Sequence, residues 1–168
     1  ILKKLNHPAL PRIVDIEEDK NYIYIIEDYI DGLPLDKELR QVGRFSEQLV
    51  VNWSIQLCHV LLYLHSQRPN PIIYRDMKPG NIIIGRDNSV KLIDFGIARE
   101  FKVNNLSDTC SMGTRGYAAP EQYGKSQSDE RSDIYSLGVV LYEMVTGKLP
   151  FDGDTPVSVA LKHIQETR

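Results

Sequence analysis

The stretch Tyr74-Arg75-Asp76-Met77-Lys78-Pro79-Gly80-Asn81 decides how this chain is interpreted. Short apolar runs stand on both sides of it: Ile72-Ile73 and Ile82-Ile83-Ile84. This pattern predicts a polar loop between two short strands. In such a loop Asp76 can take a proton from a hydroxyl, and Lys78 can neutralise phosphate charge. The amide oxygen of Asn81 can ligate a hard cation such as Mg²⁺.

A second carboxylate follows 18 residues after Asp76, in the triplet Asp94-Phe95-Gly96. An apolar run from Val90 to Ile93 precedes this triplet directly, so Asp94 also stands at the end of a predicted strand. Carboxylate and amide oxygens are suitable Mg²⁺ ligands, which makes Asp94 and Asn81 a candidate pair. A polar turn can also acquire a loop of this composition by chance, and the loop alone leaves that alternative open.

The two motifs and Ala119-Pro120-Glu121 together resemble the catalytic loop, the D-F-G element and the A-P-E element of protein kinases, in the same order. With all three in register, the chance alternative becomes negligible. The resemblance implies ATP and Mg²⁺ as cofactors, with Asp76 as the catalytic base and Lys78 beside the transferring group. It also implies that Asn81 and Asp94 hold Mg²⁺.

Tyr74 departs from the family pattern, because protein kinases usually have histidine at this position. In the family this residue packs and organises the backbone and is not the proton acceptor, so the resemblance still implies an active loop. Tyr74 and Phe95 would join Leu2 and Ile13 in the hydrophobic column that links the two lobes. Leu2 and Ile13 can equally be ordinary core residues.

The polar segment between Gly96 and Ala119 resembles an activation loop. Its last part, Gly113 to Tyr117, resembles the element that docks a protein substrate in serine/threonine kinases, where Thr114 would bridge Asp76 and Lys78. Lys78 is the residue that serine/threonine kinases have at this position. Bacterial kinases of eukaryotic type are the subfamily that the chain resembles most, through Ala-Pro-Glu-Gln-Tyr, Asp-Ile-Tyr-Ser-Leu-Gly and Pro-Val-Ser-Val-Ala. Without the flanking motifs, the same segment would be interpreted as a surface loop rich in hydroxyl groups.

Arg75 directly precedes the candidate base, and such arginines in the family bind a phosphate on the activation loop. A phosphate opposite an arginine can order a loop through charge-assisted hydrogen bonds. We therefore expect autophosphorylation between residues 107 and 111, with Thr109 as the favoured acceptor. The candidate acceptors are Ser107, Thr109 and Ser111.

Two β-branched segments, Ile13 to Glu17 and Tyr22 to Glu27, predict a hairpin. The next residues resemble the kinase hinge, in which the backbone of Asp28 and Ile30 would hydrogen-bond adenine. Glu27 occupies the position that gates the back of the nucleotide pocket, where an apolar residue is more common. The implied division is a small-lobe remnant over 1–27, a hinge over 28–32 and an incomplete large lobe over 33–168.

Helices are predicted on both sides of the central motifs. Ser46 is a candidate N-cap, and one apolar helical face follows it: Leu49, Trp53, Leu57, Val60 and Leu64. Asp133 to Val145 is apolar nearly all round, which predicts a helix buried on all sides and ended by Gly147. It resembles helix F, where Asp133 would hold the backbone of the catalytic loop. Thr155-Pro156 begins a last helix, and the chain opens with what resembles the end of helix C.

Composition bounds the class of protein. The 168 residues are 42% apolar and 26% charged, which predicts one globular domain. We expect an α+β, protein-kinase-like fold with a mostly helical large lobe. A net charge of −3 argues against a nucleic-acid partner. The two cysteines have no metal-site spacing. The sequence has no signal-peptide or membrane-spanning pattern, so we expect a cytoplasmic domain. A membrane anchor in the parent protein, beyond Arg168, stays open.

Three functions stay open. The first is a serine/threonine protein kinase that uses ATP and a protein acceptor. The second is a small-molecule phosphotransferase, against which the segment from Gly113 to Glu121 speaks. The third is a pseudokinase, against which the four catalytic-site residues speak. Neither a G-x-G-x-x-G nor a correctly placed V-A-I-K occurs, since Val159-Ala160-Leu161-Lys162 comes after the catalytic loop. The helix C glutamate and the arginine that would pair with Glu121 also lack counterparts, so we expect these 168 residues alone to be inactive.

Overall fold

A computed structural model describes residues 2–95, 99–100, 114–124 and 127–166. Helices and short antiparallel strands share this part of the chain, so the fold is α+β, as the sequence predicts. The helices are α1 Leu35–Val42, α2 Glu47–His65, α3 Glu130–Thr146 and α4 Pro156–Gln165. The strands are β1 Ile13–Glu18, β2 Ile23–Glu27, β3 Gly32–Pro34, β4 Ile72–Ile73, β5 Ile82–Gly85, β6 Val90–Leu92 and β7 Arg99–Glu100. Single 3₁₀ turns cover Leu2–Lys4, Pro79–Asn81 and Pro120–Tyr123.

Strands β1 and β2 form the predicted hairpin, antiparallel, with Ile16 opposite Ile25. The residues before it correct one expectation. Leu2–Lys4 is one 3₁₀ turn, where the sequence predicts the last turns of an α-helix. Pro8 explains why the helix does not continue, because proline has no N–H to donate and disfavours helical backbone in the residue before it.

Strands β3, β5 and β6 form a second antiparallel sheet, in which Ile82 pairs with Leu92. The apolar runs around the central loop are therefore strands, as predicted. Strand β3 and helix α1 have no counterpart among the predicted elements. Three residues are too few to show a period, and the eight residues of α1 bury only Leu35 and Leu39. Gly32 in β3 lies so close to β5 that an added Cβ would meet the carbonyl oxygen of Ile84 at 2.5 Å.

Helix α2 is the centre of the core. It begins after Ser46, as predicted, although the Ser46 side chain makes no capping hydrogen bond. Trp53 on its inner face packs edge-to-face on Phe45, with ring centroids 4.9 Å apart. The buried residues of this helix are Val50, Trp53, Leu57, Val60, Leu61 and Leu64. Among the described residues, no helix is both long and apolar enough to cross a bilayer.

Helix α3 is capped by Asp129, which accepts from the N–H of Arg131, and ends at Gly147 in the left-handed conformation. The expectation that this helix is buried on all sides is wrong, because Ile134 is 54% exposed and Val145 is 40% exposed. Apolar composition favours burial, but a helix face is buried only where another element packs on it. In the described residues α3 packs on α2 and β4, and its outer face borders an open groove beside α4.

Candidate active site

The loop between β4 and β5 is polar in sequence and buried in the fold. Tyr74, Arg75, Met77 and Asn81 are each at most 5% exposed. A buried loop must find hydrogen-bond partners for its backbone, because an unpaired buried N–H or carbonyl destabilises the folded state. Three of these hydrogen bonds come from the distant side chains of Asp133 and Gln122.

Asp133 is the main partner of the loop backbone. This fully buried residue lies in the first turn of α3, where the helix dipole favours a negative charge. Its carboxylate accepts from the N–H of Tyr74 at 2.9 Å and from the N–H of Arg75 at 2.7 Å. His65, at the end of α2, contacts the same carboxylate through Nε2 at 2.7 Å. Helix α3 therefore holds the loop at the residues just before Asp76.

The tyrosine at the start of the loop connects it to the segment before Asp94. The Tyr74 hydroxyl donates to the carbonyl oxygen of Ile93 at 2.5 Å. Its ring contacts Phe95 edge-to-face, with centroids 5.3 Å apart. Burial raises the pKa of the Tyr74 hydroxyl well above its ordinary value, so the group stays neutral and remains a donor. Tyr74 thus ties the two motifs together through a hydrogen bond and a ring contact.

Asp76, Lys78 and Thr114 meet in one cluster. Lys78 Nζ donates to Asp76 Oδ2 at 2.8 Å and to Thr114 Oγ1 at 2.9 Å. The Thr114 hydroxyl donates in turn to Asp76 Oδ1 at 2.6 Å. A further donor on Asp76 Oδ2 is Asn81 Nδ2, at 2.8 Å. A carboxylate offers about four acceptor positions, and the described residues use three of them, two on Oδ2 and one on Oδ1.

Asn81 and Asp94 carry the amide and carboxylate oxygens that suit Mg²⁺. Asn81 Nδ2 donates to the carbonyl oxygen of Asp76 at 3.0 Å as well as to its carboxylate. Both hydrogen bonds use the amide nitrogen of Asn81, so the amide oxygen is the atom that would bind a cation. The N–H of Ile93, the residue before Asp94, donates to the carbonyl oxygen of Asn81 at 2.9 Å. This backbone hydrogen bond joins the segment before Asp94 to Asn81. One amide and one carboxylate suit an ion that takes its other ligands from phosphate and water.

A cavity of about 260 Å³ lies beside Asp94 and is mostly apolar. Its lining comes from the hairpin, the segment before it and the segment around Asp94: Leu5, Leu10, Pro11, Ile13, Ile25, Glu27, Ile93, Asp94 and Phe95. Burial, and then the charge of Asp94, raises the pKa of Glu27 above its ordinary value. At the expected hinge, the N–H of Asp28 donates to the carbonyl of Arg12 at 3.0 Å. The carbonyl is then the group of Asp28 that a ligand can use.

Comparisons with known proteins identify the family to which the chain belongs. A family model for the protein kinase domain matches residues 1–168. The chain belongs to the protein kinase domain family. It is 41% identical to the serine/threonine-protein kinase PknB of Mycobacterium tuberculosis, over 96% of this chain and 26% of that protein. It is 36% identical to PrkC of Bacillus subtilis, over 96% of this chain and 24% of that protein. PknB of Mycolicibacterium smegmatis is 40% identical, over 96% and 27% respectively.

This kinase chain spans about a quarter of the length of the curated relatives it matches. All three relatives are bacterial serine/threonine-protein kinases by name. The matches therefore confirm the resemblance to the bacterial kinases of eukaryotic type. They carry no information on which residues of this kinase domain perform catalysis.

The segment from Thr114 to Tyr123, here called the docking segment after the family element that it resembles, contacts α3 at two points. The Tyr117 hydroxyl donates to Glu143 Oε2 at 2.6 Å, and burial raises the pKa of Glu143 above its ordinary value. Glu121 accepts a hydrogen bond from the Ser132 hydroxyl. The A-P-E motif contains Glu121, but neither of these contacts can be predicted from the sequence. Each joins residues far apart in sequence, and no local pattern indicates such a pair.

Other expected residues have different outcomes. Ser107, Thr109 and Ser111 lie outside the described residues, so their place relative to Arg75 stays a prediction. The side chain of Leu2 is also outside them, whereas Ile13 lines the same cavity as Phe95. The contact between His65 and Asp133 was not predicted. The position of His65 at the end of a helix gave no sign of a partner that lies 68 residues away.

Proposed function

We propose that the chain is the central part of a serine/threonine protein kinase, which transfers the γ-phosphoryl group of ATP to a protein serine or threonine. One observation carries this proposal. The Asp76 carboxylate lies within hydrogen-bond distance of both the Lys78 ammonium group and the Thr114 hydroxyl. This supports a base, a phosphate-neutralising cation and a substrate-docking segment that act at one point.

The proposed reaction is a direct displacement. The oxygen of the acceptor hydroxyl forms a bond to the γ-phosphorus as the bond from that phosphorus to the β–γ bridging oxygen breaks, which releases ADP. The acceptor proton passes to the remaining acceptor position on Asp76. Lys78 lies beside this carboxylate and stabilises the charge of the group in transfer. Bound Mg²⁺ would neutralise phosphate charge, and Asn81 and Asp94 are the residues that would hold it.

The adenine of ATP is proposed to contact the segment after the hairpin. The Asp28 carbonyl would accept from the adenine amino group, since the Asp28 N–H is already bonded to Arg12. The backbone of Ile30 would supply a second contact. Glu27 lies where the cavity meets this segment, and its carboxylate would limit how apolar a group can enter behind the nucleotide.

Regulation by phosphate on residues 107–111 belongs to the same proposal. Arg75 is 3% exposed and lies one residue before the base, so a phosphate that engages it would act close to Asp76. Mass spectrometry of the active parent protein is expected to find phosphate in this segment, most often on Thr109. A fully active parent with an unmodified segment would contradict this part of the proposal.

The main test removes the base in the parent protein that contains these residues. We expect Asp76→Asn to abolish nearly all phosphoryl transfer and to leave ATP binding nearly unchanged, because the base acts chiefly in the transition state. Asp36→Asn is the matched control, since Asp36 is a surface residue paired with Arg40. Transfer would be followed with labelled ATP and a protein acceptor, and binding by calorimetry. Near wild-type transfer by the Asp76→Asn protein would refute the assignment.

Thr114 allows a finer test of the docking segment. Thr114→Ser keeps the hydroxyl that bonds Asp76 and Lys78, whereas Thr114→Val keeps the shape and loses both bonds. We expect the serine variant to retain most of the transfer to protein. The valine variant is expected to lose about 10²-fold, the size of effect that follows from small misplacements at a reacting centre. Equal activity of the two variants would show that the Thr114 hydroxyl does not contribute to transfer.

A further inference from the structure

Gln122 makes a two-sided bridge between the docking segment and the catalytic loop. It directly follows Glu121 in the 3₁₀ turn Pro120–Tyr123 and is 2% exposed. Its Oε1 accepts from the N–H of Ala119 at 3.0 Å. Its Nε2 donates to the carbonyl oxygen of Arg75 at 2.9 Å. The side-chain amide thus uses one end on its own segment and the other on the loop that carries Asp76.

The carbonyl that Gln122 holds belongs to a strained residue. Arg75 has φ of 70°, in the left-handed region that residues with a side chain seldom adopt. Such a conformation persists only where the surroundings fix it. Here the N–H of Arg75 donates to Asp133 Oδ1 at 2.7 Å, and its carbonyl accepts from Gln122. Asp133 therefore orients the peptide plane before Arg75, and Gln122 orients the next plane, which ends at the nitrogen of Asp76.

The docking segment contacts the catalytic loop at two separated points. Thr114 contacts the side chain of Asp76, and Gln122 contacts the backbone one residue earlier. Glu121, between them in sequence, points to Ser132 on α3 and not to the loop. The two contacts together determine both the position of the Asp76 carboxylate and the peptide from which its side chain extends.

We propose that Gln122 is a positioning residue for phosphoryl transfer: it fixes the peptide between Arg75 and Asp76, so that the docking segment sets the orientation of the base. This inference rests on the proposed kinase function. It predicts that Gln122 affects the rate of the chemical step and not the binding of ATP. No contact of Gln122 with the nucleotide is required.

Gln122→Glu tests the bridge in the parent protein with almost no change of shape. The introduced carboxylate still accepts from Ala119, but it places an oxygen where Nε2 donated to Arg75. We expect kcat to fall roughly 10- to 100-fold, since misplacement of a reacting group by about 1 Å has effects up to ~10². KM for ATP is expected to stay within about twofold, because KM follows ground-state binding. When the pH falls and the introduced group is protonated, its O–H can donate to Arg75 again. The ratio of variant to wild-type kcat is therefore expected to rise as the pH falls.

Gln56→Glu is the matched control. Gln56 forms the same kind of bridge, since its Oε1 accepts from the N–H of Val90 at 2.9 Å and its Nε2 donates to the carbonyl of Asn88 at 3.0 Å. This bridge joins α2 to the turn before β6, away from Asp76. We expect Gln56→Glu to leave kcat within twofold of wild type at every pH.

The outcomes separate the two proposals. If the wild-type parent shows no transfer that depends on Asp76, the kinase function is refuted, and the positioning role falls with it. If the wild type is active and Gln122→Glu keeps kcat within twofold, or loses no more than Gln56→Glu, the positioning role alone is refuted.

If Gln122→Glu does not fold, Gln122→Met decides, because it fills the same space without either hydrogen bond. A kcat for that variant within twofold of wild type would overturn the proposal, and a 10-fold or larger loss with unchanged KM for ATP would support it.

Discussion

The catalytic loop and the β1–β2 hairpin show opposite relations between composition and burial. The loop from Tyr74 to Asn81 is polar, yet most of its residues are buried. The hairpin is apolar and β-branched, yet Val14 is 55% exposed and Ile25 is 47% exposed. Hydropathy alone would predict an exposed catalytic loop and a buried hairpin.

The difference lies in the partners that each region has. The loop is held from four other places in the fold, by the side chains of Asp133, Gln122 and Thr114 and by the backbone carbonyl of Ile93. Buried polar groups are tolerated where their hydrogen bonds are satisfied. The hairpin pairs with itself, and in the described residues no third strand joins its sheet. Burial therefore follows tertiary contacts in both regions, and it follows hydropathy in neither.

The strongest test of this comparison removes the residue on which the loop depends most. Asp133→Ala would leave the N–H groups of Tyr74 and Arg75 buried without their acceptor, and His65 without its carboxylate. We expect a loss of about 3–5 kcal/mol in the free energy of unfolding, as for other broken buried charge networks. Urea unfolding of the parent kinase domain would measure this, and phosphoryl transfer would fall with it.

Asp129→Ala is the control for that change. Asp129 lies four residues earlier and caps the same helix at its solvent-facing start. Loss of a helix cap costs about 1 kcal/mol. A loss for Asp133→Ala no larger than that for Asp129→Ala would mean that the loop is not held by α3 in the way described.

A smaller effect is expected from the hydroxyl of Tyr74. Tyr74→Phe keeps the ring contact with Phe95 and removes the bond to the Ile93 carbonyl. A buried group left without its partner costs about 1–3 kcal/mol. Because Ile93 precedes Asp94, we also expect weaker binding of ATP in the presence of Mg²⁺. The matched change in the hairpin is Tyr24→Phe, which removes an exposed bond to Asp19 and is expected to stay within about 0.5 kcal/mol. Equal effects of the two changes would contradict the comparison.

The sequence was sufficient for the parts of the fold that local pattern determines. The apolar runs on both sides of Tyr74 to Asn81 predicted β4 and β5, and the run before Asp94 predicted β6. Ser46 and Gly147 correctly marked the start of α2 and the end of α3. The short strand β3 was missed because three residues have no readable period, and helix α1 was missed because it buries only two residues, Leu35 and Leu39. The burial of α3 was overestimated, because composition does not say which faces of a helix have neighbours.

The candidate site also contains residues that the sequence identified and residues that it did not. The motif residues were found from their order along the chain. Their partners His65, Gln122 and Glu143 were not, since each bond joins elements that meet only in the folded chain. Tyr74 was identified as a substitution at a packing position. The pairing of its hydroxyl with Ile93 depends on how two strands lie side by side, and this is a property of the fold.

His163 gives a prediction of intermediate size for a buried polar group outside the loop. Its Nδ1 pairs with the Tyr135 hydroxyl at 2.7 Å, and the rings of Phe151 and Tyr123 flank it. Burial lowers the pKa of His163 below its ordinary value of 6.5. The unfolded chain then takes up this proton more readily than the folded one, so the stabilisation is complete above pH 6.5 and is lost as the pH falls below it.

The measurement is the pH dependence of urea unfolding. One proton limits the slope to about 1.4 kcal/mol per pH unit. We expect His163→Gln, which can still accept from Tyr135, to flatten the decrease in stability below pH 6.5. His59→Gln, a change at an exposed histidine of α2, is expected to leave the decrease as it is. The same acid-induced decrease in the His163→Gln protein would exclude His163 as its source.

The smallest expected effect tests the hairpin itself. Val14→Thr replaces a methyl group by a hydroxyl at a position that is 55% exposed, and threonine is as compatible with a strand as valine. We expect a change within about 0.5 kcal/mol in the free energy of unfolding. Val90→Thr is the matched change at a strand residue that is 1% exposed, where an unpaired hydroxyl costs about 1–3 kcal/mol. If Val14→Thr in the parent protein costs as much as Val90→Thr, another part of the parent must cover this face of the hairpin. The contrast with the catalytic loop would then hold only for the residues described, because the hairpin too would be buried by a tertiary partner.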